Sequence, residues 1–258
     1  MHDLAGLAAW LEHLILLLVA LVANAFSSFS GGGAGLIQLP VLIFLGLPFA
    51  LALATHKVAT VALGLGASLR HWREGSLEPR VMGLMLVAGL PGVVLGALAI
   101  VSVPDRAAKI ALGALTLGLG VYSIFKPQLG QIHAPRHRDR AGMLKGGLGL
   151  MLIGILNGSL TSGTGLFATL WLVRWFGMDY LRAVAHTLVI VGLFWNGTGA
   201  VTLGMISEIH WPWLPALLLG SLLGGYLGAH LAIKKGNKLI KRAFEAVTIL
   251  IGLRLLFA

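Results

Sequence analysis

Long apolar runs separated by short polar connections organise this chain from end to end, and no stretch keeps the strict alternation of a half-buried strand. Ten runs stand out. The first five cover residues 11–30, 35–46, 49–69, 81–101 and 107–126; the second five cover 146–161, 165–177, 183–204, 213–233 and 241–258. Most approach the roughly 20 residues that a helix needs to cross hydrocarbon. Helices must do the crossing, because unpaired backbone is too costly in lipid. The second run of each set is only 12 or 13 residues long, the length of a half-helix or re-entrant element, and it pairs with the run before it as a hairpin.

Sliding the chain on itself exposes a duplication. At an offset of 130, Gly35 and Leu36 meet Gly165 and Leu166, His56 meets His186, and Glu78 meets Glu208. At 132, Gly92, Gly96 and Ala97 meet Gly224, Gly228 and Ala229, while Lys109, Thr116 and Gly120 meet Lys241, Thr248 and Gly252. An ordered series of matches with a single two-residue shift reads as two copies of one unit. The copies are residues 1–126 and 146–258, joined by a basic linker over 127–145.

Charge orients the copies. Basic residues gather in the connections at Arg70, Arg73 and Arg80; at Lys126, Arg136, Arg138, Arg140 and Lys145; at Arg174 and Arg182; and at Lys234, Lys235, Lys238, Lys241 and Arg242. With the hairpins as drawn, these four connections share one side, which the positive-inside rule makes cytoplasmic. Only Arg106 and Lys109 fall in an outer loop. Equivalent loops of the two copies differ in charge, as expected of units with an odd number of crossings that insert upside down relative to each other. The expected architecture is an all-α polytopic membrane protein of two inverted-topology repeats, each opening with an interrupted or re-entrant hairpin. Both termini lie outside a cell inner (plasma) membrane.

Composition agrees with that class: 57% of residues are hydrophobic and 11% charged, against about a quarter charged in soluble domains, and mean hydropathy is +0.91. The net charge of +10 sits in loops rather than along one face, which disfavours nucleic acid as a partner. Without cysteine, disulfides and thiolate metal sites are excluded. Residues 14–25 mimic a signal-peptide core and cleavage site, but Asp3 and Glu12 precede them with no Lys or Arg, so the segment is expected to stay in the mature protein.

Two stretches break the apolar pattern at matching places. The first, "NAFSSFSGGGAGLIQLP", offers Asn24, Ser27, Ser28, Ser30, Gly31, Gly32, Gly33, Ala34, Gly35 and Gln38; the second, "NGSLTSGTGLFATL", offers Asn157, Thr161, Ser162, Gly163, Thr164 and Gly165. Glycines that interrupt a span and restart it leave helix N-termini at depth, with unpaired N–H groups and a partial positive charge. Such an end suits an anion, and irregular backbone at depth is tolerated where it lines a cavity. "GLPGVVLGALA" and "GSLLGGYLGAHLA" instead read as small-residue packing surfaces. His56 and Lys57 lie seven or eight residues into the third run, about 11 Å deep at about 1.5 Å per residue. His186 mirrors them in the second copy. Ionisable groups at such depth point to function, here charge compensation for an anion or proton coupling. Asn196, Thr198 and Trp195 are further lining candidates. His133 and His137 are separated by Pro135, which argues for a solvated loop and against a metal face; Trp211 and Trp213 read as interfacial anchors.

The "SFSGGGAGLIQLP" break, its counterpart "LTSGTGL", the "REGSL" and "LGMISEIHW" connections and the glycine-rich fourth runs resemble the TauE/SafE sulfite exporter family over nearly the whole chain. That resemblance implies transport, usually outward, of sulfite or a small organosulfonate such as sulfoacetate, with no cofactor and no metal. The chain departs from the resembled pattern at His56 and Lys57, where small polar residues are expected. The expected partners are a small anionic substrate and the lipid bilayer, with no nucleic acid; homo-oligomerisation is left open. Two other readings stand beside the carrier: a channel-like anion pore using the same helix ends, and an intramembrane serine protease with Ser162 as nucleophile and His186 as base. The duplication weighs against the protease, since a catalytic pair needs no mirror copy.

Overall fold

A computed structural model describes residues 2–99, 105–160 and 163–257. Their elements are almost entirely helical: α1 (His2–Ser30), a 3₁₀ turn (Ala34–Leu36), α2 (Gln38–Phe44), α3 (Phe49–His71), α4 (Pro79–Ala99) and α5 (Asp105–Ile124), then α6 (Arg140–Leu160), α7 (Thr164–Arg174), α8 (Tyr180–Thr187), a π-helical stretch (Leu188–Trp195), α9 (Asn196–Ile206), α10 (Leu214–Lys235) and α11 (Asn237–Phe257). Six helical stretches among the described residues are long and apolar enough to cross a membrane, and Ala34–Phe44 is a shorter apolar one. The protein is therefore a multi-pass membrane protein.

Small residues set the helix pairing. Successive glycines of α10, Gly220, Gly224 and Gly228, lie against the backbone carbonyls of Leu17, Leu21 and Ala25 in α1. On α4, Gly92 and Gly96 meet the carbonyls of Met151 and Ile155 in α6, and Gly154 and Gly158 of α6 return the contact at Gly89 and Val93. Backbones this close gain van der Waals contact that larger side chains would prevent, which is how helices associate where lipid removes the hydrophobic driving force. Both glycine-rich segments read as packing surfaces thus act as such. The pairing is reciprocal, with α1 along α10, α6 along α4 and α5 along α11. The third segments cross at the centre, where Gly64 of α3 abuts Gly192 in the π-helical stretch.

The basic linker is tied down more firmly than a solvated loop. Ala134 N–H donates to the Gly177 carbonyl at 2.8 Å, Arg136 N–H to Phe176 at 3.1 Å, and Tyr180 N–H to Gly130 at 2.8 Å. His137 stacks on Trp175 with ring centroids 4.3 Å apart. His133 faces Glu78 at 3.7 Å, and Glu78 also pairs with Arg138 at 2.8 Å. At the opposite connection, Trp211 is exposed as an interfacial anchor should be. Trp213 differs: it is buried in a core cluster with Leu16 and Leu217, against the His210 ring.

Candidate functional site

Both glycine-rich breaks interrupt helix, and they meet. Helix α1 stops at Ser30, where the N–H groups of Gly31 and Gly32 both turn back to the Ser27 carbonyl, at 2.9 and 2.8 Å. Gly31, Gly32 and Gly33 take φ values of 89°, 148° and 107°, a sequence of left-handed conformations open to glycine and costly for other residues. Gly32 lies so close to Gly165 and Leu166 of the second break that a Cβ there would come within 2.6 Å of the Leu166 nitrogen. In the second break Gly163, at φ 79°, starts α7 with no side-chain cap, so the dipole of this 11-residue helix opens beside the first break. Downstream of the first break stand only the 3₁₀ turn and the seven-residue α2, a shorter dipole than a full half-helix would carry.

The breaks enclose a cavity of about 40 Å³, lined by Ser27, Gly32, Gly33, Ala34 and Gly35 from the first break, by His56, Thr60 and Leu63 from α3, by Asn157, Thr164 and Gly165 from the second break, and by Thr187, Leu188, Val191, Gly192 and Asn196. At roughly 10–15 Å³ of such volume per water, the space suits on the order of three waters, or one compact oxyanion. The π-helical stretch contributes Leu188, Val191 and Gly192 to the wall; π turns inside helices often mark functional positions.

Lys57 is fully buried behind this wall. Its ammonium donates to the Asn157 carbonyl at 2.7 Å, to Asn157 Oδ1 at 2.9 Å and to Asn196 Oδ1 at 3.3 Å. Asn157 Nδ2 in turn donates to Thr164 Oγ1 at 2.9 Å. Among the described residues no carboxylate lies within 4 Å of Lys57, since every acidic partner found is engaged by Arg70, His133, Arg138, Arg182 or Lys241. A buried ion without a counter-ion is expensive. His56 is 1% exposed and its Nδ1 has no partner among the described residues.

The remaining candidates sit outside the wall. Gly31 supports it: its carbonyl accepts from Thr169 Oγ1 at 2.8 Å, and the Thr187 hydroxyl lies 2.9 Å from Thr169 Oγ1. Asn24 Nδ2 lies within hydrogen-bond reach of Ala20, Gln38 and Ser221, a buried polar knot between α1, α2 and α10. Ser28 donates to the Gly225 carbonyl at 2.7 Å, and the Ser30 hydroxyl lies within reach of the Phe26 and Gly32 carbonyls. His186 is also away from the wall and both ring nitrogens are engaged: Nε2 accepts from Glu78 N–H at 2.8 Å, and Nδ1 donates to the Arg182 carbonyl at 2.7 Å. Trp195 turns to α4, donating to the Met85 carbonyl at 3.0 Å. Thr161 and Ser162 lie outside the described residues. Sequence reading missed Thr60 and Thr187, although Thr60 stands one helical turn beyond His56 and Thr187 directly follows His186.

The family model described as Sulfite exporter TauE/SafE matches residues 16–255. The chain is 32% identical over 228 residues to a probable membrane transporter protein of Haemophilus influenzae, covering 88% of each chain. It is 31% identical over 243 residues to probable membrane transporter protein ORF9 of Sinorhizobium sp, covering 93% of this chain and 91% of the relative. With YfcA of Escherichia coli K12, also described as a probable membrane transporter protein, it shares 26% identity over 244 residues, 94% of this chain and 89% of YfcA. No solved structure matches. On a family model spanning nearly its whole length, the chain belongs to the TauE/SafE sulfite exporter family of membrane transporters.

Proposed function

We propose that this protein is a secondary transporter that exports a small sulfur-containing anion, sulfite or an organosulfonate such as sulfoacetate, through a site between two inverted repeats. The observation that carries this reading is the cavity where two glycine breaks meet beside a buried lysine that has no carboxylate partner among the described residues. The reciprocal pairing of first and fourth segments supports the two-repeat arrangement, because each copy offers the other the same surface. In this reading both termini face outward, and the repeats move relative to each other about the cavity to expose it to either side in turn.

In this reading the residues at the cavity take distinct roles. Lys57 supplies charge, and Asn157 and Asn196 hold its ammonium in place. The backbone at Gly33 and Gly165 and the first turn of α7 bring N–H dipoles to the anion, and Thr60 and Thr187 offer hydroxyls. His56 faces the same space and is the group placed to exchange a proton with the substrate or cavity. At about 40 Å³ the cavity suits sulfite as it stands, whereas sulfoacetate requires the wall of Leu63, Leu188 and Val191 to give. Export is favourable without a coupling ion, because each negative charge leaving a negative interior gains about 2.3 kcal/mol per 100 mV.

Purified protein reconstituted into liposomes loaded with sulfite provides the test. Saturable efflux that counter-transport accelerates supports the carrier, while ohmic single-channel currents would make it a pore. Absence of any sulfite or organosulfonate flux from folded protein would remove the assignment.

A further inference from the structure

A second cavity, of about 460 Å³, opens where the linker crosses the ends of α5 and α7, and its lining includes Tyr122, Lys126, Arg136 and Arg174 but, among the described residues, no carboxylate. The volume lies within the roughly 300–1,000 Å³ of small-ligand sites. Arg174 is held across the opening by its Nε–H, which donates to Tyr122 Oη at 2.8 Å. The carboxylates on neighbouring segments are committed elsewhere, Glu245 to Lys241 and Asp179 to Arg182. The cleft floor is rigid, because the linker is bonded to the α7–α8 connection at Ala134, Arg136 and Gly130. Next to this polar floor the molecule presents apolar side chains outward: Phe125 is 77% exposed, Ile132 75% and Ile124 48%. A ligand that satisfies both surfaces carries a compact negative charge at one end and hydrocarbon at the other.

We propose that this cleft binds the headgroup of an anionic phospholipid, its phosphate against Lys126, Arg136 and Arg174 and its acyl chains along Ile124, Phe125 and Ile132. Basic pockets on the membrane-facing rim of transporters suit such headgroups, and each cation near the surface is worth about a fivefold gain in binding. The lipid ties the linker to the bilayer at the point where it joins the two halves of the chain. This inference stands apart from the transported substrate, since none of its residues lines the central cavity.

The test is native mass spectrometry of the purified full chain in detergent, titrated with dioctanoyl phosphatidylglycerol, dioctanoyl phosphatidylcholine, inorganic phosphate or glycerol phosphate. Phosphatidylglycerol is expected to occupy one site preferentially. The triple variant Lys126→Gln, Arg136→Gln, Arg174→Gln is expected to bind it on the order of a hundredfold more weakly. A control of equal charge change on the same face, Lys234→Gln, Lys238→Gln, Arg242→Gln, is expected to stay within about threefold of wild type. Equal losses in both triples, equally tight phosphatidylcholine, or free phosphate that displaces the lipid at matching concentration would each overturn the proposal. If the triple variant does not fold, Arg136→Gln alone, at an exposed position, is expected to cost about fivefold, and no change in it would count against the site.

Discussion

Replacing Lys57 separates charge from architecture. Its ammonium is the cation held next to the central cavity, bridged to it by Asn157 and Asn196 at 2.7–3.3 Å. With an anion on the order of 6 Å from Nζ and an effective dielectric of about 20, the attraction is about 3 kcal/mol, or about a hundredfold in affinity. The cost to the fold is expected to be smaller. Lys57→Met removes the ammonium donor from the Asn157 carbonyl and Oδ1, at about 1–3 kcal/mol for each hydrogen bond to a charged group. It also removes the desolvation cost of a buried ion, which runs to several kcal/mol. Lys57→Gln keeps a donor and loses the charge. Isothermal titration of sulfite into purified protein reads the affinity, and thermal unfolding in the same detergent reads the fold. Both variants should lose about a hundredfold in affinity while unfolding near the wild-type temperature. Sulfite affinity within threefold of wild type in both variants would refute a role for the Lys57 charge.

Other substitutions probe the frame of the cavity. Gly32→Ala adds a Cβ within 2.6 Å of the Leu166 nitrogen at a φ of 148°; it should abolish flux in liposomes and lower stability by about 1–3 kcal/mol or more, and normal flux would show that the breaks need not touch. Thr169→Val leaves the Gly31 carbonyl without its 2.8 Å donor and should cost about 1–3 kcal/mol in denaturation, with flux reduced by loosening of the wall. Leu188→Ala enlarges the cavity at an expected cost of about 2–5 kcal/mol and should shift the ratio of sulfoacetate to sulfite flux upward; an unchanged ratio would remove Leu188 as a size filter. His186→Gln breaks a tie to the Glu78 backbone and should lower stability by about 1–3 kcal/mol while leaving the KM for sulfite unchanged.

Most of the fold was legible because lipid imposes one dominant pattern. Apolar runs end where helices end: the run at 49–69 is α3 (Phe49–His71), and the short run at 165–177 is α7 (Thr164–Arg174). Glycine clusters without apolar filler marked both breaks, and the i, i+4 glycines of α10 marked its packing face. Less legible was anything set by the approach of distant segments. The link from Lys57 to Asn157 joins residues 100 positions apart, and nothing local announces it. The π-helical stretch at Leu188–Trp195 is an unbroken apolar run whose extra residue per turn leaves no mark in hydropathy. His186 looked equivalent to His56 by position, yet one faces the cavity and the other is spent on backbone groups, because hydrogen-bond partners rather than register decide what a buried histidine does. The linker read as solvated from its charges and Pro135, but its backbone pairing with the α7–α8 connection depends on tertiary contact.

Selenite, the heavier analogue of sulfite, offers the most direct measurement of the central claim, since anomalous scattering from selenium locates the anion in a crystal of the protein. A peak is expected inside the central cavity, within hydrogen-bonding distance of the backbone at Gly33 and of the first turn of α7, beside His56 and the Lys57–Asn157 pair. A selenium peak elsewhere, with the central cavity empty in protein that transports selenite, would contradict it.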